Sequence, residues 1–351
     1  MKQGILISLS VERQNRLQMK KHYIAVRKAL LLIAAASFFY TKADAQHISF
    51  GGEKAYVEAG INFGPTFFLG DLGGNAGYGT YWLKDVNLEL TKMMKGVFVS
   101  VYPNSWMGIR MAGQITYVSG EDNIINTDGV NELWRKQRNL DFKSTVYEGY
   151  SAVELFPISF FHTNNPDYSP TFKPYGFIGV GVFHFDPKGS LTDAAGNKTW
   201  HRLKPLSTEG EGFPEYPDKK PYSLTQINIP MGFGMKIKVT ERINIAPELL
   251  YRKTFTDYMD DVSTTYIDPI YFDAHLSPQD AIIARAISDK TFGIVTPGVN
   301  RYAPGTMRGN SKNNDAYFSI VLKLGVRLGK IDEEARWDKR AKRQTRCPHF
   351  Y

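Results

Sequence analysis

Gln226-Ile227-Asn228-Ile229-Pro230-Met231-Gly232-Phe233-Gly234-Met235-Lys236-Ile237-Lys238-Val239 alternates without a break: every odd position is apolar, and every even one is polar, glycine or proline. Successive side chains of an extended strand point to opposite faces, so this segment builds one continuous apolar face and one polar face. The same pattern returns near the end of the chain. There Ala316, Phe318, Ile320, Leu322, Leu324, Val326 and Leu328 alternate with Tyr317, Ser319, Val321, Lys323, Gly325, Arg327 and Gly329. Such runs are longer than the usual strand of a soluble sheet and match the 9 to 11 residues of a tilted strand that crosses a bilayer.

Working outward from these two runs, weaker copies predict strands over 56–66, 90–102, 105–118, 144–156, 173–185, 224–239, 242–255 and 315–329. Val57, Ala59, Ile61 and Phe63 form the outward face of the first, Ile109, Met111, Ile115 and Tyr117 that of the third, and Ile243, Ile245, Leu249 and Tyr251 that of the seventh. Eight is an even number, as closure of an antiparallel barrel requires. An open edge in hydrocarbon would leave backbone groups unpaired at several kcal/mol each.

The connections alternate in length. Tyr102-Pro103-Asn104-Ser105 and Thr240-Glu241-Arg242 are tight turns, and 162–167 is a moderate one; 67–89, 119–143, 186–223 and 256–314 are long. All long loops then lie at one end of the barrel, with the turns and both termini at the other, periplasmic end.

Alternation alone does not say which face points outward, so a soluble barrel with an apolar lumen is the rival. Three features favour the membrane. Glu58, Arg110, Glu148, Glu154, Lys236, Glu248, Arg252, Lys323 and Arg327 share one set of faces, where opposite charges pair inside a narrow barrel. Tyr56, Tyr102, Trp106, Tyr117 and Tyr251 lie near strand ends, where aromatic girdles belong. The loop asymmetry is the third. Eight strands enclose a lumen that side chains fill, so no diffusion pore is expected and function falls to loops, turns or tail. The loop 256–314 is too long to lie unstructured, and Asp280–Ser288 is expected to be a short helix within it.

The fold class is therefore all-β: an eight-stranded antiparallel transmembrane barrel with long extracellular loops and a periplasmic tail. Upstream, Met19-Lys20-Lys21, Arg27-Lys28, the apolar run Ala29–Phe39 and the small residues Ala43 and Ala45 follow the order of an export leader. Residues 1–45 read as that signal peptide, with 1–18 a mis-assigned upstream start; 46–329 is the barrel and 330–351 a basic periplasmic tail. The formal net charge of +8 is misleading, because residues 1–45 carry eight Lys or Arg against two Asp or Glu. The tail carries seven against four, leaving the barrel close to neutral, and no nucleic-acid partner is implied. Cys347 is the single cysteine, which rules out an intrachain disulfide.

No motif for a nucleotide or a metalloprotease is present, and no cofactor is expected. The glycine clusters at 70–77 and 176–181 do not fit a phosphate loop, and His162, His184, His201 and His275 never take ligand spacing. Asp257, Asp260 and Asp261 are the one acidic group that an outer-membrane hydrolase would use; the plainer reading makes them solvated carboxylates that shape a loop. The chain is expected not to be an enzyme. Its tail stands out: Ile331 to Arg343, with Arg336 and Trp337, reads as a charged helix, followed by Arg346-Cys347-Pro348-His349-Phe350-Tyr351. It reads as a docking element for a periplasmic partner, with Cys347 available for a mixed disulfide in an oxidising compartment. A disordered overhang is the alternative.

Several segments resemble the PorG-type outer-membrane barrels of Bacteroidota: Gly60–Asp71, Tyr251–Ser263 with Thr256-Asp257-Tyr258-Met259-Asp260-Asp261-Val262-Ser263, Arg308–Phe318 with Arg308-Gly309-Asn310, and the ending Arg346-Cys347-Pro348. The family commonly has tryptophan where this chain has Ala316, and the loops 186–223 and 264–307 are long. The resemblance implies a non-enzymatic component of the type IX protein secretion system, resident in the outer membrane and its lipid. It would tie that membrane to the periplasmic ring made by the lipoprotein PorK and its partner PorN. The docking residues would be Arg336, Trp337, Arg346, Cys347, Pro348 and Phe350. Thr256, Asp257, Tyr258, Asp260, Asp261, Arg308, Gly309 and Asn310 would brace the external loops. A stand-alone barrel acting as a surface adhesin or outer-membrane hydrolase is the alternative.

Overall fold

The computed structural model describes residues 49–50, 53–54, 56–72, 90–125, 130–162, 170–193, 195–291 and 302–328. The proposed leader, the tail with Arg336, Trp337, Arg346, Cys347, Pro348 and Phe350, and the middle of the first long loop lie outside the described residues.

Eight long strands form the body: β1 Tyr56–Leu69, β2 Lys92–Tyr102, β3 Met107–Glu121, β4 Asp141–Leu155, β5 Phe172–His184, β6 Thr225–Lys238, β7 Ile243–Thr254 and β8 Ala316–Leu328. Each pairs antiparallel with its neighbour in sequence. β8 returns to β1 through Ala316↔Leu69 to Leu328↔Val57, which closes the sheet into a barrel. No strand of the barrel is left with an open edge, as hydrocarbon demands.

The surface is inverted relative to a soluble protein. Ile61, Val97, Met111, Val180, Phe233 and Ile320 point outward and are half to three-quarters exposed. Glu58, Arg110, Glu148, Glu154, Lys236, Glu248, Arg252 and Lys323 are buried in the lumen. An apolar belt of this extent is unfavourable in water and favourable in lipid, so the barrel is of the outer-membrane type.

At the short-turn end, β2 and β3 meet through a turn in which Asn104 Oδ1 accepts from the N–H groups of Trp106, at 3.2 Å, and Met107, at 2.8 Å. The β6–β7 turn is closed by Thr240 Oγ1, which accepts from Ile243 N at 2.9 Å. Between β4 and β5 a short helix, α2, over Pro157–Phe161 precedes the moderate turn expected at 162–167, of which 163–167 lie outside the described residues.

At the other end lie the loops L1 (70–91), L2 (122–140), L3 (185–224) and L4 (255–315), and the last three bear secondary structure of their own. L2 holds α1, Val130–Arg138; L4 holds α3, Ile270–His275, and α4, Pro278–Ser288. The helix expected at 280–288 is thus present and begins two residues earlier. Ser277 caps it, its hydroxyl accepting from Asp280 N at 3.2 Å, and Pro278 occupies the first turn. Its buried face is Ala281, Ala284 and Ile287, spaced by three. L3 contributes a hairpin, Lys188–Thr192 with Lys198–Arg202, which continues the sheet beyond β4 through Lys143↔Lys188. Sequence periodicity did not reveal it, because each arm is five residues long.

Two of the girdle aromatics are elsewhere than expected. Tyr102 is buried in the lumen, stacked on Tyr56 at a ring separation of 4.6 Å, and its hydroxyl donates to Glu154 at 2.7 Å. These rings close the barrel floor. Tyr117, by contrast, is 40% exposed on the outer wall.

Candidate functional site

The lumen is the first place where a barrel can act. Among the described residues, its four buried cations and four buried carboxylates are matched. Arg110 Nε donates to Glu154 at 2.5 Å, and Nη1 and Nη2 donate to Glu248 at 2.9 and 2.6 Å. Lys323 touches the same two carboxylates at 3.2 and 3.1 Å. Lys236 pairs with Glu58 at 2.5 Å and Arg252 with Glu148 at 3.3 Å, while Arg252 also donates to Ser319 at 2.6 Å. Charges this deeply buried survive only when paired and hydrogen-bonded. Below them Tyr102, Phe156 and Tyr175 stack edge to face and tilted, at 5.9 and 5.1 Å. Among the described residues the lumen is filled by its own side chains.

The second place is the loop domain above the barrel. Its apolar core joins Leu72 of L1, Leu140 of L2, Leu203, Leu206 and Phe213 of L3, and Met259, Val262 and Phe272 of L4, and it rests on Phe183 and Tyr317 at the strand ends. Through this core run two buried arginines. Arg138 grips Asp122 with Nε at 2.7 Å and Nη2 at 3.0 Å, and it donates to the carbonyls of Arg308 at 2.6 Å and Asp71 at 2.8 Å. Arg308 donates to Glu209 at 3.0 Å and to the carbonyl of Asp261 at 2.5 Å. All four loops are therefore stapled by two guanidiniums.

The eight bracing positions named from the sequence fall in this region. Thr256 accepts Asp315 N at its carbonyl, 3.0 Å, and Tyr258 N at its hydroxyl, 3.2 Å. Tyr258 stacks on Tyr222 with ring centroids 4.8 Å apart. Asp260 accepts from Asp71 N and Leu72 N with one oxygen, at 3.1 and 3.2 Å, and from Val262 N with the other, at 3.1 Å. Asp261 takes φ +64°, a left-handed conformation that Asp tolerates, and accepts from Thr208 at 2.5 Å and Tyr222 at 2.6 Å. Gly309 is where L4 passes closest to L1: a Cβ there would stand 2.6 Å from Asp71 Oδ2 and from Ser263 N. The next residue, Asn310, donates its N–H to Asp71 Oδ2 at 2.5 Å.

Asp257, Asp260 and Asp261 are buried, not solvated as the sequence suggested. Burial is the largest influence on each; for Asp257 a hydrogen bond with Ser263 opposes it, and the charges of Asp71 and Glu209 add to it. It pushes the Asp257 carboxyl up to about 8 and Asp261 up to about 6. Asp260 and Asp315 rise for the same reason, each reinforced by the other carboxyls of the group. Glu211 is pushed up to about 8 by burial and by Asp261 and Glu209. Most of these oxygens serve backbone N–H groups and hydroxyls, which makes the group a brace for loop backbone. Among the described residues, no group of three acidic, His or Cys side chains is drawn together to hold a metal ion.

Arg138, Asp122, Asp71 and Glu209 were not foreseen. The signal for Glu209 lay in Thr208-Glu209-Gly210-Glu211-Gly212, where both glycines take positive φ, 80° and 87°. Such a run turns sharply enough to aim a carboxylate inward.

No family model matches the chain, and no curated protein does. Among solved structures it is similar to the attachment invasion locus protein Ail of Yersinia pestis, at 9% identity over 78% of this chain and 97% of that one, with a TM-score of 0.30. It is also similar to OprG of Pseudomonas aeruginosa, at 8% identity over 81% and 100%, with a TM-score of 0.30. A third is a major outer membrane protein of Thermus thermophilus, at 10% identity over 78% and 99%, with a TM-score of 0.34. Likeness at this level adds nothing to what the strand register and the inverted surface establish.

Proposed function

We propose that this chain is a non-enzymatic outer-membrane subunit of a type IX secretion machine, fixing a periplasmic ring to the membrane through its C-terminal tail. The observation that carries the reading joins the two segments most like PorG-type barrels: Arg308, of the Arg-Gly-Asn block, donates to the carbonyl of Asp261, of the Thr-Asp-Tyr-x-Asp-Asp-Val-Ser segment, at 2.5 Å. Residues 47 positions apart in sequence form one buried contact, as expected of a shared structural brace. The filled lumen supports an anchoring role over a conducting one.

The direction of the chain supports the anchor as well. β8 ends at Leu328, paired with Val57 near the start of β1, so the chain leaves the barrel at the short-turn end. A tail issuing there emerges on the periplasmic side of an outer-membrane barrel. Arg336, Trp337, Arg346, Cys347, Pro348 and Phe350 are the proposed contacts with the ring lipoprotein and its partner, Cys347 through a mixed disulfide. Replacing the chromosomal copy with one ending at Lys330 should leave the barrel in the outer membrane and strand cargo proteins in the periplasm. Normal export by that strain would contradict the reading. On a non-reducing gel of outer membranes, migration at monomer mass alone would remove the disulfide from it.

A further inference from the structure

The helix α2 interrupts the short-turn end in an unusual way. Its start is tied down where Phe156 N donates to the Trp106 carbonyl at 2.8 Å, and Phe156 itself is buried in the barrel floor. From there Ile158, Phe160 and Phe161 project outward at 42, 54 and 80% exposure, with Trp106 edge-on to Phe160 at 5.3 Å. Three large apolar side chains in one five-residue helix, beside a tryptophan, are costly in water. They suit the boundary between headgroups and acyl chains.

Pro157, the first residue of α2, also lines a groove in the outer wall of the barrel, with a volume of ≈ 570 Å³. The groove follows one row of the register. Gly176 of β5 pairs with Phe233 of β6, Phe233 with Leu249 of β7, and Leu249 with Ile320 of β8. The row is bulky at its last three positions and empty at the first, so the belt has a notch at Gly176 flanked by Phe233. Pro174 and Pro247 line it beside α2. A volume of this size lies within the range of about 300 to 1,000 Å³ of small-ligand sites.

We propose that this notch is a phospholipid site, holding one acyl chain of the leaflet at the short-turn end while α2 lies in the interface as its anchor. The groove is continuous with the lipid-facing belt, since Phe233, Leu249 and Ile320 belong to both, and apart from the buried Tyr175 and Glu248 its lining residues are apolar or glycine. A chain entering from the belt reaches α2, where the side of the helix bearing Phe160 and Phe161 meets the headgroup region. The site is independent of the secretion reading and stands on the barrel alone.

Gly176 makes the test clean. A Cβ there would meet only Gly232 O, at 3.7 Å, an ordinary contact, so Gly176→Leu fills the notch without displacing backbone. The full chain, reconstituted in nanodiscs of phosphatidylethanolamine and moved into detergent, should carry one retained phospholipid by native mass spectrometry. Gly176→Leu and Phe161→Ser should lose it, and Val180→Leu, elsewhere on the belt, should keep it. Retention by Gly176→Leu, or equal loss from the Val180 variant, would overturn the proposal. A dimer mass in place of bound lipid would overturn it too, by showing a second copy in the groove.

Discussion

Arg308 and Glu209 form an ion pair at 3.0 Å between L4 and L3, with both side chains buried. Glu209 passes the contact on, because its oxygens also accept from Ser263 N at 2.9 Å and Thr264 N at 2.8 Å. Removing one partner of such a pair strands the other in a dry site, which costs about 3 to 5 kcal/mol. Arg308→Ala should therefore loosen the loop domain while leaving the barrel inserted. Limited proteolysis of intact cells should cut L3 and L4 far faster in the variant, with unchanged heat-modifiability of the barrel on gels. Equal cleavage rates would show that the pair is not the staple.

The loop domain should lose stability as pH rises from about 4 towards 8. Asp257 and Glu211 are raised to about 8 and Asp261 to about 6, above the ordinary range near 4 of an unfolded chain. The folded loops therefore bind more protons than open ones. Their stability is fully present below about pH 4 and is lost as pH rises towards 8. Amide exchange in L4, corrected for intrinsic rate, should accelerate about tenfold or more between pH 5 and 8. Asp257→Asn should flatten that dependence and protect L4 at pH 8. An exchange profile independent of pH in the parent protein would contradict the assignment.

Inside the barrel, Arg110 serves Glu154 and Glu248 at once. Arg110→Met should destabilise the folded barrel by about 3 to 5 kcal/mol in urea unfolding from lipid vesicles. Combining it with Glu154→Gln alone should recover much of the loss, because Lys323 and Glu248, 3.1 Å apart, then remain as a matched pair. Failure of that rescue would mean that the network contributes by packing alone.

On the outer wall, Phe233 is 63% exposed and shares a register row with Leu249 and Ile320. Phe233→Arg should cost about 2 to 4 kcal/mol if the row lies near the bilayer midplane, and less towards an interface. A neutral or stabilising effect in lipid would contradict the membrane-facing assignment of this wall.

The barrel was legible because a strand that crosses lipid must repeat with period two for its whole length, and parity then assigns every side chain. β6, read at 224–239, lies at Thr225–Lys238, and β8, read at 315–329, at Ala316–Leu328. Position at a strand end is a poorer guide than parity. Tyr102 ends a strand as a girdle residue would, yet it shares parity with Met94, Phe98 and Ser100, all buried in the lumen. The loop domain was legible only in part. The helix 278–288 has local signals in Ser277, Pro278 and a three-residue apolar spacing, whereas Arg308 meets a carboxylate 99 residues away. No local pattern records such a contact, and burial of the Asp257 group follows from it.

The most direct test of the anchoring role is a crosslinked, non-reducing pull-down from outer membranes, comparing the full chain with one truncated after Lys330. The account predicts that the full chain brings down the periplasmic ring lipoprotein and its partner, and that the truncated barrel, still correctly inserted, brings down neither. Capture of no ring protein by either form would contradict it and move the function to the outer loops.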